Sequence, residues 1–212
     1  MSFSSSSISL AKGPEGLELR MAGDRPGQGV RAAFEGVSTV GHPLVKLLRG
    51  CHGPVVDATA GLGGDTAVLA AMGRTVLAIE RSEVLVRLLQ EARQRIQDPE
   101  LQTRIQVVAG DALEVLGQLP AEFQKPAAVI LDPMYPPRRR QSALPPKSMQ
   151  VLRILHAEES DAGPEHLLPA AFAAGPQRVL LKRPPEASFS GEQAPTFSVG
   201  SKLVRWDAWE LG

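Results

Sequence analysis

The chain has 212 residues, 43% of them hydrophobic, and its 23 basic residues balance 23 acidic ones. This length allows a globular domain to bury a core without disulfides or a structural metal. The zero net charge excludes a whole-molecule field that would draw the protein to nucleic acid or to a membrane, so any site for a polyanion must be local. The single cysteine, Cys51, favours a reducing compartment, and no apolar run is long enough to cross a bilayer.

The first 50 residues carry the weakest pattern. Residues 1–10 are rich in serine but lack the basic start of a secretory signal, so we expect a cytoplasmic protein. Alternation over residues 17–20 predicts a short strand. Residues 38–50 predict a short helix that Ser38 or Thr39 caps and Gly50 ends. We therefore predict an N-terminal extension over residues 1–50 and a main domain over residues 51–212.

From residue 54 onward, continuous apolar runs alternate with helical patterns. The runs cover residues 55–59, 75–79, 105–109, 127–131 and 178–181, and the helical patterns cover residues 65–72, 82–96, 112–119 and 164–174. Strands that alternate with helices and are apolar throughout predict a doubly wound, mostly parallel, Rossmann-like α/β sheet covered on both faces. Asp65 and Ser82 are the predicted caps of the first two helices.

The tail departs from this alternation. Residues 196–199 and 203–211 predict two strands of an antiparallel hairpin at the edge of the sheet. Trp206 and Trp209 stand three positions apart in the second strand, so they cannot both face one core in a regular strand. We interpret them as packing or edge residues.

Four of the apolar runs lead into acidic residues, namely Asp57, Glu80, Asp111 and Asp132. In such sheets, ligands bind beyond the carboxyl ends of the strands, near the switch in strand order. Each acid alone could equally be a helix cap or a turn former. Four of them at one edge favour a binding site.

A glycine loop follows the first run and opens a helix, and its glycines are Gly61, Gly63 and Gly64. Thr66 stands where a dinucleotide fingerprint needs its third glycine, and no Gly-Lys-Ser/Thr of a phosphate loop follows. Glu80 is spaced to accept both hydroxyls of a ribose, and Asp111 with Ala112 could grip an adenine. The pattern therefore favours a nucleoside without a pyrophosphate over NAD.

The fourth run ends in the sequence Asp132-Pro133-Met134-Tyr135, with two further prolines after it. Prolines remove backbone donors and stiffen a loop, which leaves free carbonyls beside a carboxylate and an aromatic ring. An exocyclic amine would donate to Asp132 and to the carbonyl of Pro133, while Tyr135 stacks on the ring that bears the amine. A proline-rich turn with a core tyrosine is the structural alternative.

A basic segment follows this loop. It contains Arg138, Arg139, Arg140, Lys147 and Arg153, with no acid from residue 133 to residue 156. Such a run can be a solvated loop, but beside a nucleobase pocket it predicts contacts to RNA phosphates, to which Lys182 and Arg183 would add. The four histidines lack a recognisable partner, and we predict no metal site.

These motifs resemble those of the class I S-adenosylmethionine-dependent methyltransferases, and more closely those of the bacterial small-subunit ribosomal RNA guanine-N2 methyltransferases. The matching segments are residues 55–65, 80–81, 131–136, 141–144 and 181–184. The resemblance implies S-adenosylmethionine as cofactor and methyl transfer to the N2 amine of a guanine in 16S ribosomal RNA, free or in the small subunit. It implies cofactor contacts at Gly64, Asp65, Glu80, Arg81, Asp111, Ala112 and Asp132.

Two other functions stay open at this point. The acceptor could instead be adenine N6 or a glutamine amide of a protein, although the arginine run favours RNA over a protein. The chain could also be a nucleotide-binding scaffold without catalysis, against which the intact loop at residues 132–135 argues. The sequence leaves the target nucleotide and the oligomeric state open.

Overall fold

The computed structural model describes residues 4–5, 8–135, 144–156, 164–187 and 193–211. The strands are β1 (Ser4–Ser5), β2 (Ile8–Gly13), β3 (Gly16–Met21), β4 (Val55–Asp57), β5 (Val76–Glu80), β6 (Ile105–Ala109), β7 (Ala128–Leu131), β8 (Arg178–Arg183), β9 (Phe197–Gly200) and β10 (Arg205–Glu210). The α-helices are α1 (Pro43–Leu47), α2 (Gly64–Ala71), α3 (Glu83–Gln94), α4 (Pro99–Thr103), α5 (Ala112–Gly117), α6 (Lys147–Leu155) and α7 (Leu168–Ala173). Within these residues no helix is long and apolar enough to span a membrane.

A seven-stranded sheet in the order β6-β5-β4-β7-β8-β10-β9 forms the centre of the molecule. Strands β4 to β8 pair in parallel, and β9 and β10 pair antiparallel. The predicted doubly wound sheet with a C-terminal hairpin at its edge is therefore confirmed. The strand order reverses between β4 and β7, which places the topological switch point at the ends of these two strands.

Each face of the sheet has its own hydrophobic core. Val55 packs into one core and its neighbour Val56 into the other, because successive side chains of a strand point to opposite faces. Trp206 and Trp209 follow the same rule on β10 and are buried in opposite cores. The two tryptophans do not share a core, as expected, yet both are core residues because β9 and not β10 is the edge strand.

Several helices begin at other residues than the sequence predicts, and two helices were not predicted. Helix α1 begins at Pro43, after His42, whose Nδ1 accepts a hydrogen bond from the backbone of Leu44, and not near Ser38 or Thr39. Gly41 at φ +74° separates those residues from the helix. Helix α2 is capped by Gly63, not by Asp65, and helices α4 and α6 were not predicted.

The strands β1 to β3 form a separate antiparallel sheet, which packs against the core on one face of the main sheet. The fully buried carboxylate of Glu18 accepts hydrogen bonds from Arg20 and from the backbone of Gly27 and Gly29, which fixes the loop after β3. Ile8 and Leu19 of this sheet belong to the same core as α3. The sheet is thus held by apolar packing as well as by polar contacts.

Gly63 offers a test of how closely α2 approaches this core. Its φ is +79°, and an added Cβ would lie 2.8 Å from carbons of Phe34 and Leu89. We expect Gly63→Ala to lower the free energy of unfolding by about 1–3 kcal/mol more than Gly73→Ala, the usual range for overpacking. Gly73 is the matched control because its φ is +83° and nothing lies within 4 Å of an added Cβ. Urea denaturation would measure both, and equal losses would contradict the steric explanation.

Candidate functional site

A cavity of about 560 Å³ opens at the carboxyl edge of the main sheet. The four acids predicted at this edge, Asp57, Glu80, Asp111 and Asp132, all line it. Its volume suits a small-molecule ligand of nucleoside size. The cavity has two sides: one follows the ends of β4, β5 and β6, and the other lies between the loop after β7, helix α6 and the β9–β10 turn.

Glu80 organises the side of the cavity at β5. Its Oε2 accepts a hydrogen bond of 2.8 Å from the backbone of Gly61, and its Oε1 accepts one of 2.8 Å from the backbone of Ser82. The same carboxylate therefore fixes the glycine loop and the start of α3. Gly61, Gly64 and Arg81 line the cavity, but Gly63 does not and packs on Phe34 and Leu89 instead.

Asp111 combines the two roles that the sequence left open. Its Oδ1 accepts a hydrogen bond of 2.8 Å from the backbone of Leu113 and so caps α5. Asp111 and Ala112 also line the cavity next to the end of β6. The cap fixes the carboxylate beside the cavity.

Three carboxylates line the cavity at the ends of β4 and β7 and the start of α2, namely Asp57, Asp132 and Asp65. Lys182 Nζ on β8 lies 2.7 Å from Asp132 Oδ2 and 3.0 Å from Asp65 Oδ2. Thr59 fixes the loop after β7, because its Oγ1 accepts a hydrogen bond of 2.6 Å from the backbone of Asp132. Lys182 is thus part of the cavity wall. The sequence had predicted that it contacts an RNA phosphate.

Asp57 is the most deeply buried of these acids, with 2% of its surface exposed. Burial and the nearby charge of Asp65 raise its pKa to about 7, against a hydrogen bond of 2.5 Å from the Thr66 hydroxyl, which lowers the pKa. A positive charge placed beside Asp57 would favour its ionised form.

The other side of the cavity contains residues that the sequence did not assign to a pocket, although Arg153 was named there as a phosphate contact. Helix α6, the β9–β10 turn and two histidines contribute them: Ser148, Met149, Leu152, Arg153, His156, His166, Leu203 and Val204. Pro133 and Tyr135, which the sequence predicted, line the same cavity. The signal for α6 was present in the apolar positions of residues 149–155, but the proline pair and the basic run before it obscured the helix.

The predicted RNA contacts fall in different places. Arg138, Arg139 and Arg140 lie outside the described residues. Lys147 forms an ion pair with Asp24 and donates to the carbonyl of Gln28. Arg183 is 5% exposed and pairs with Asp207, so its position argues against a phosphate contact. Among the residues described, no group of His, Cys, Asp or Glu side chains could hold a metal ion.

This strand order, with a nucleoside-sized cavity at its switch point, defines a class I S-adenosylmethionine-dependent methyltransferase. A family model described as putative SAM-dependent methyltransferase matches residues 31–210. "Ribosomal RNA small subunit methyltransferase J" of Aeromonas salmonicida is 40% identical over 172 residues, which cover 79% of this chain and 67% of the relative. The protein of that name from Magnetococcus marinus is 35% identical over 94% of this chain and 83% of its own length.

A solved structure agrees with these relatives. The crystal structure of a SAM-dependent methyltransferase from Neisseria gonorrhoeae superposes with a TM-score of 0.70 at 29% identity, over 92% of this chain and 79% of that one. The chain therefore belongs to the S-adenosylmethionine-dependent methyltransferases, in the ribosomal RNA small subunit methyltransferase J family.

The donor set of the cavity fits S-adenosylmethionine. The Glu80 carboxylate lines the cavity, and carboxylate oxygens can accept hydrogen bonds from ribose hydroxyls. Asp111 with Ala112 would hold the adenine side, and the acid-rich end at Asp57 and Asp65 suits the cationic methionine part. No residue described in this cavity argues against that cofactor.

Asp57 makes stability depend on pH. Its pKa is about 7 in the folded protein and about 3.9 in an unfolded chain. The folded protein keeps a proton that the unfolded chain has lost, so stability falls as pH rises from about 4 to about 7. We expect Asp57→Asn, which cannot ionise, to remove this part of the fall and to raise Tm above pH 7 relative to the unsubstituted protein.

Thermal unfolding across this pH range would measure the effect. The exposed carboxylate Glu114 gives the control, because Glu114→Gln should keep the original dependence. If Asp57→Asn keeps it too, Asp57 is ionised at neutral pH and the raised pKa is wrong.

Proposed function

We propose that this protein transfers a methyl group from S-adenosylmethionine to the N2 amine of a guanine in small-subunit ribosomal RNA, in the cytoplasm. The name of its relatives supports the RNA substrate. The observation that carries the proposal is the position of the loop at Asp132, Pro133 and Tyr135. This loop lines the same cavity as Glu80 and Asp111 and as helix α6.

The proposed chemistry needs positioning more than acid or base catalysis. When bound, the cofactor supplies a methyl group on a sulfonium sulfur, and the new N–C bond forms as the S–C bond breaks. Asp132 and the carbonyl of Pro133 would accept the two N–H bonds of the amine and so expose its lone pair. The same oxygens stabilise the positive charge that grows on nitrogen, and one proton then leaves to solvent.

We assign the cofactor contacts to residues at the ends of β4 to β7 and in the glycine loop. These are Asp57, Gly61, Gly64, Asp65, Glu80, Arg81, Asp111, Ala112 and Asp132, all of which line the cavity. Gly63 is left out because it packs in the core. We also propose residues 51–212 as the methyltransferase domain, with residues 1–50 as its extension.

Arg153 on α6 favours guanine over adenine as the acceptor. It lines the cavity, and its buried Nε has no hydrogen-bond partner among the residues described. Guanine offers two acceptors, O6 and N7, to an arginine, whereas adenine presents an amine in place of O6. With Asp132 on the amine and Arg153 on these acceptors, the pocket would recognise guanine from two sides.

Phosphate contacts are needed as well, and we assign them to Arg138, Arg139 and Arg140. The run follows the catalytic loop directly in the chain. Phosphate contacts give affinity and register without reading the base. The three arginines also speak against a glutamine amide of a protein as the acceptor.

The function is tested by methylation of small ribosomal subunits and of naked 16S RNA that lack the modification, with mass analysis of the nucleosides. N2-methylguanosine is the expected product, whereas N6-methyladenosine would establish the alternative acceptor. No transfer to either RNA, with the cofactor bound, would favour a scaffold.

Two variants separate binding from chemistry in the same assay. Asp132→Ala should abolish transfer because the amine loses its acceptor. Tyr135→Ala should leave cofactor affinity intact and lower kcat/KM for the RNA. The lost free energy should be about 1–3 kcal/mol, the usual value of base stacking. Tyr135→Phe should keep most of the activity because stacking needs only the ring. A Phe variant as impaired as the Ala variant would contradict the stacking role.

Arg153 gives a sharper test of base recognition. Arg153→Gln should lower kcat/KM for the RNA. The loss of transition-state stabilisation should be about 1–3 kcal/mol, the discrimination typical of a two-point arginine contact to guanine. Cofactor affinity, measured by calorimetry, should not change. Arg25→Gln is the control because Arg25 is an exposed arginine on the N-terminal loop. An unchanged kcat/KM would remove Arg153 from the pocket's recognition set.

A further inference from the structure

Lys182 is held in one place by three groups. Its Nζ contacts Asp132 Oδ2 at 2.7 Å and Asp65 Oδ2 at 3.0 Å. On the neighbouring strand, Trp206 is its direct partner in the β8–β10 register, and the ammonium lies 5.3 Å from the centre of that ring. Only 26% of the side chain is exposed. A flexible lysine is thereby confined to a single position in the cavity wall.

This contact divides the two oxygens of Asp132. Oδ2 is engaged by Lys182, while Oδ1 forms no hydrogen bond with any residue described. The side chain is 39% exposed, so it is reachable from the cavity. Lys182 therefore fixes the rotation of the carboxylate and leaves one oxygen for a ligand.

The charge of Asp132 depends on the same contact. Burial in the cavity and the charge of Asp65 raise the pKa of Asp132, and Lys182 opposes them. Asp57 is the third carboxylate at this place, and His42 at the start of α1 also faces Asp65 and Lys182. Burial lowers the pKa of His42 and so favours its neutral form. The positive charge beside these carboxylates near neutral pH therefore comes from Lys182.

We propose that Lys182 is a positioning residue that binds Oδ2 of Asp132 and so presents Oδ1, ionised and correctly turned, to the amine that receives the methyl group. The part that concerns the amine rests on the proposed function. A protonated or rotated Asp132 would offer the amine no oriented acceptor. This role replaces the phosphate contact that the sequence suggested for Lys182.

Lys182→Met keeps an unbranched side chain that is one atom shorter and removes its charge. At saturating cofactor and RNA, we expect kcat to fall by about 10- to 100-fold, the factor for losing a hydrogen bond to a charged group. The acid limb of the pH–kcat profile should move to higher pH, because Asp132 then ionises less readily. KM for RNA and its salt dependence should stay the same. Lys182→Arg should recover part of kcat, since it restores a cation.

The controls separate this role from others. Lys12→Met, at an exposed lysine of β2, should leave the whole profile unchanged. A raised KM with a smaller salt dependence in Lys182→Met would overturn the proposal in favour of a phosphate contact. A fall in kcat with an unmoved pH profile and no recovery in Lys182→Arg would reduce Lys182 to a packing residue.

A second measurement does not need catalysis. Carbon NMR of the side-chain carboxyls, with the Asp132 signal assigned by Asp132→Asn, gives the pKa of Asp132 directly. It should be higher in Lys182→Met than in the unsubstituted protein, and an equal pKa in both would overturn the proposal. If neither RNA is methylated, the proposed function fails, while this titration still decides whether Lys182 controls Asp132.

Discussion

Parallel pairing of β4 to β8 is the constraint on which the whole site depends. Parallel strands leave the sheet at the same edge, so the residues that follow them must meet there. Both faces of the sheet are covered by apolar cores, which leaves this edge as the place where polar side chains can gather. The acids at the ends of β4, β5, β6 and β7 line one cavity for this reason, although up to 75 positions separate them in the chain, from Asp57 to Asp132.

Bringing acids together has an electrostatic cost that the protein answers in two ways. Lys182 forms ion pairs with both Asp65 and Asp132, so one positive charge is shared by two carboxylates. For Asp57, burial first and the charge of Asp65 second raise the pKa to about 7. The remaining deficit of positive charge suits a cofactor that carries a sulfonium and an ammonium group. The chain thus prepares the charge balance of the cavity for its ligand.

The sequence predicted the parts of this arrangement that depend on short stretches of neighbouring residues. Apolar runs located the five parallel strands, and the acids and glycines that follow them located the cavity. The partner of Lys182 could not be predicted, because it is set by the register of β8 against β10 and by the distance to α2. Nor could the packing of Gly63, since the carbons that it meets belong to Phe34 and Leu89 in distant segments.

Helix α6 shows a different reason for a missed element. Its first turn follows prolines and carries Lys147, so the local pattern predicts a basic loop. What stabilises the helix is non-local: Val151 is fully buried in the core, and Lys147 is paired with Asp24. The sequence therefore does not predict the side of the cavity that α6 supplies.

The contact between Lys147 and the loop after β3 connects helix α6 to the N-terminal segment. Lys147 binds Asp24 and the carbonyl of Gln28, and α6 lines the cavity. The N-terminal segment also supports the other side of the cavity, because Phe34 lies against Gly63 of the glycine loop and Ile8 and Leu19 share a core with α3. A chain shortened by its first 50 residues would therefore lose support on both sides of the cavity, so these residues belong to the scaffold that shapes the site.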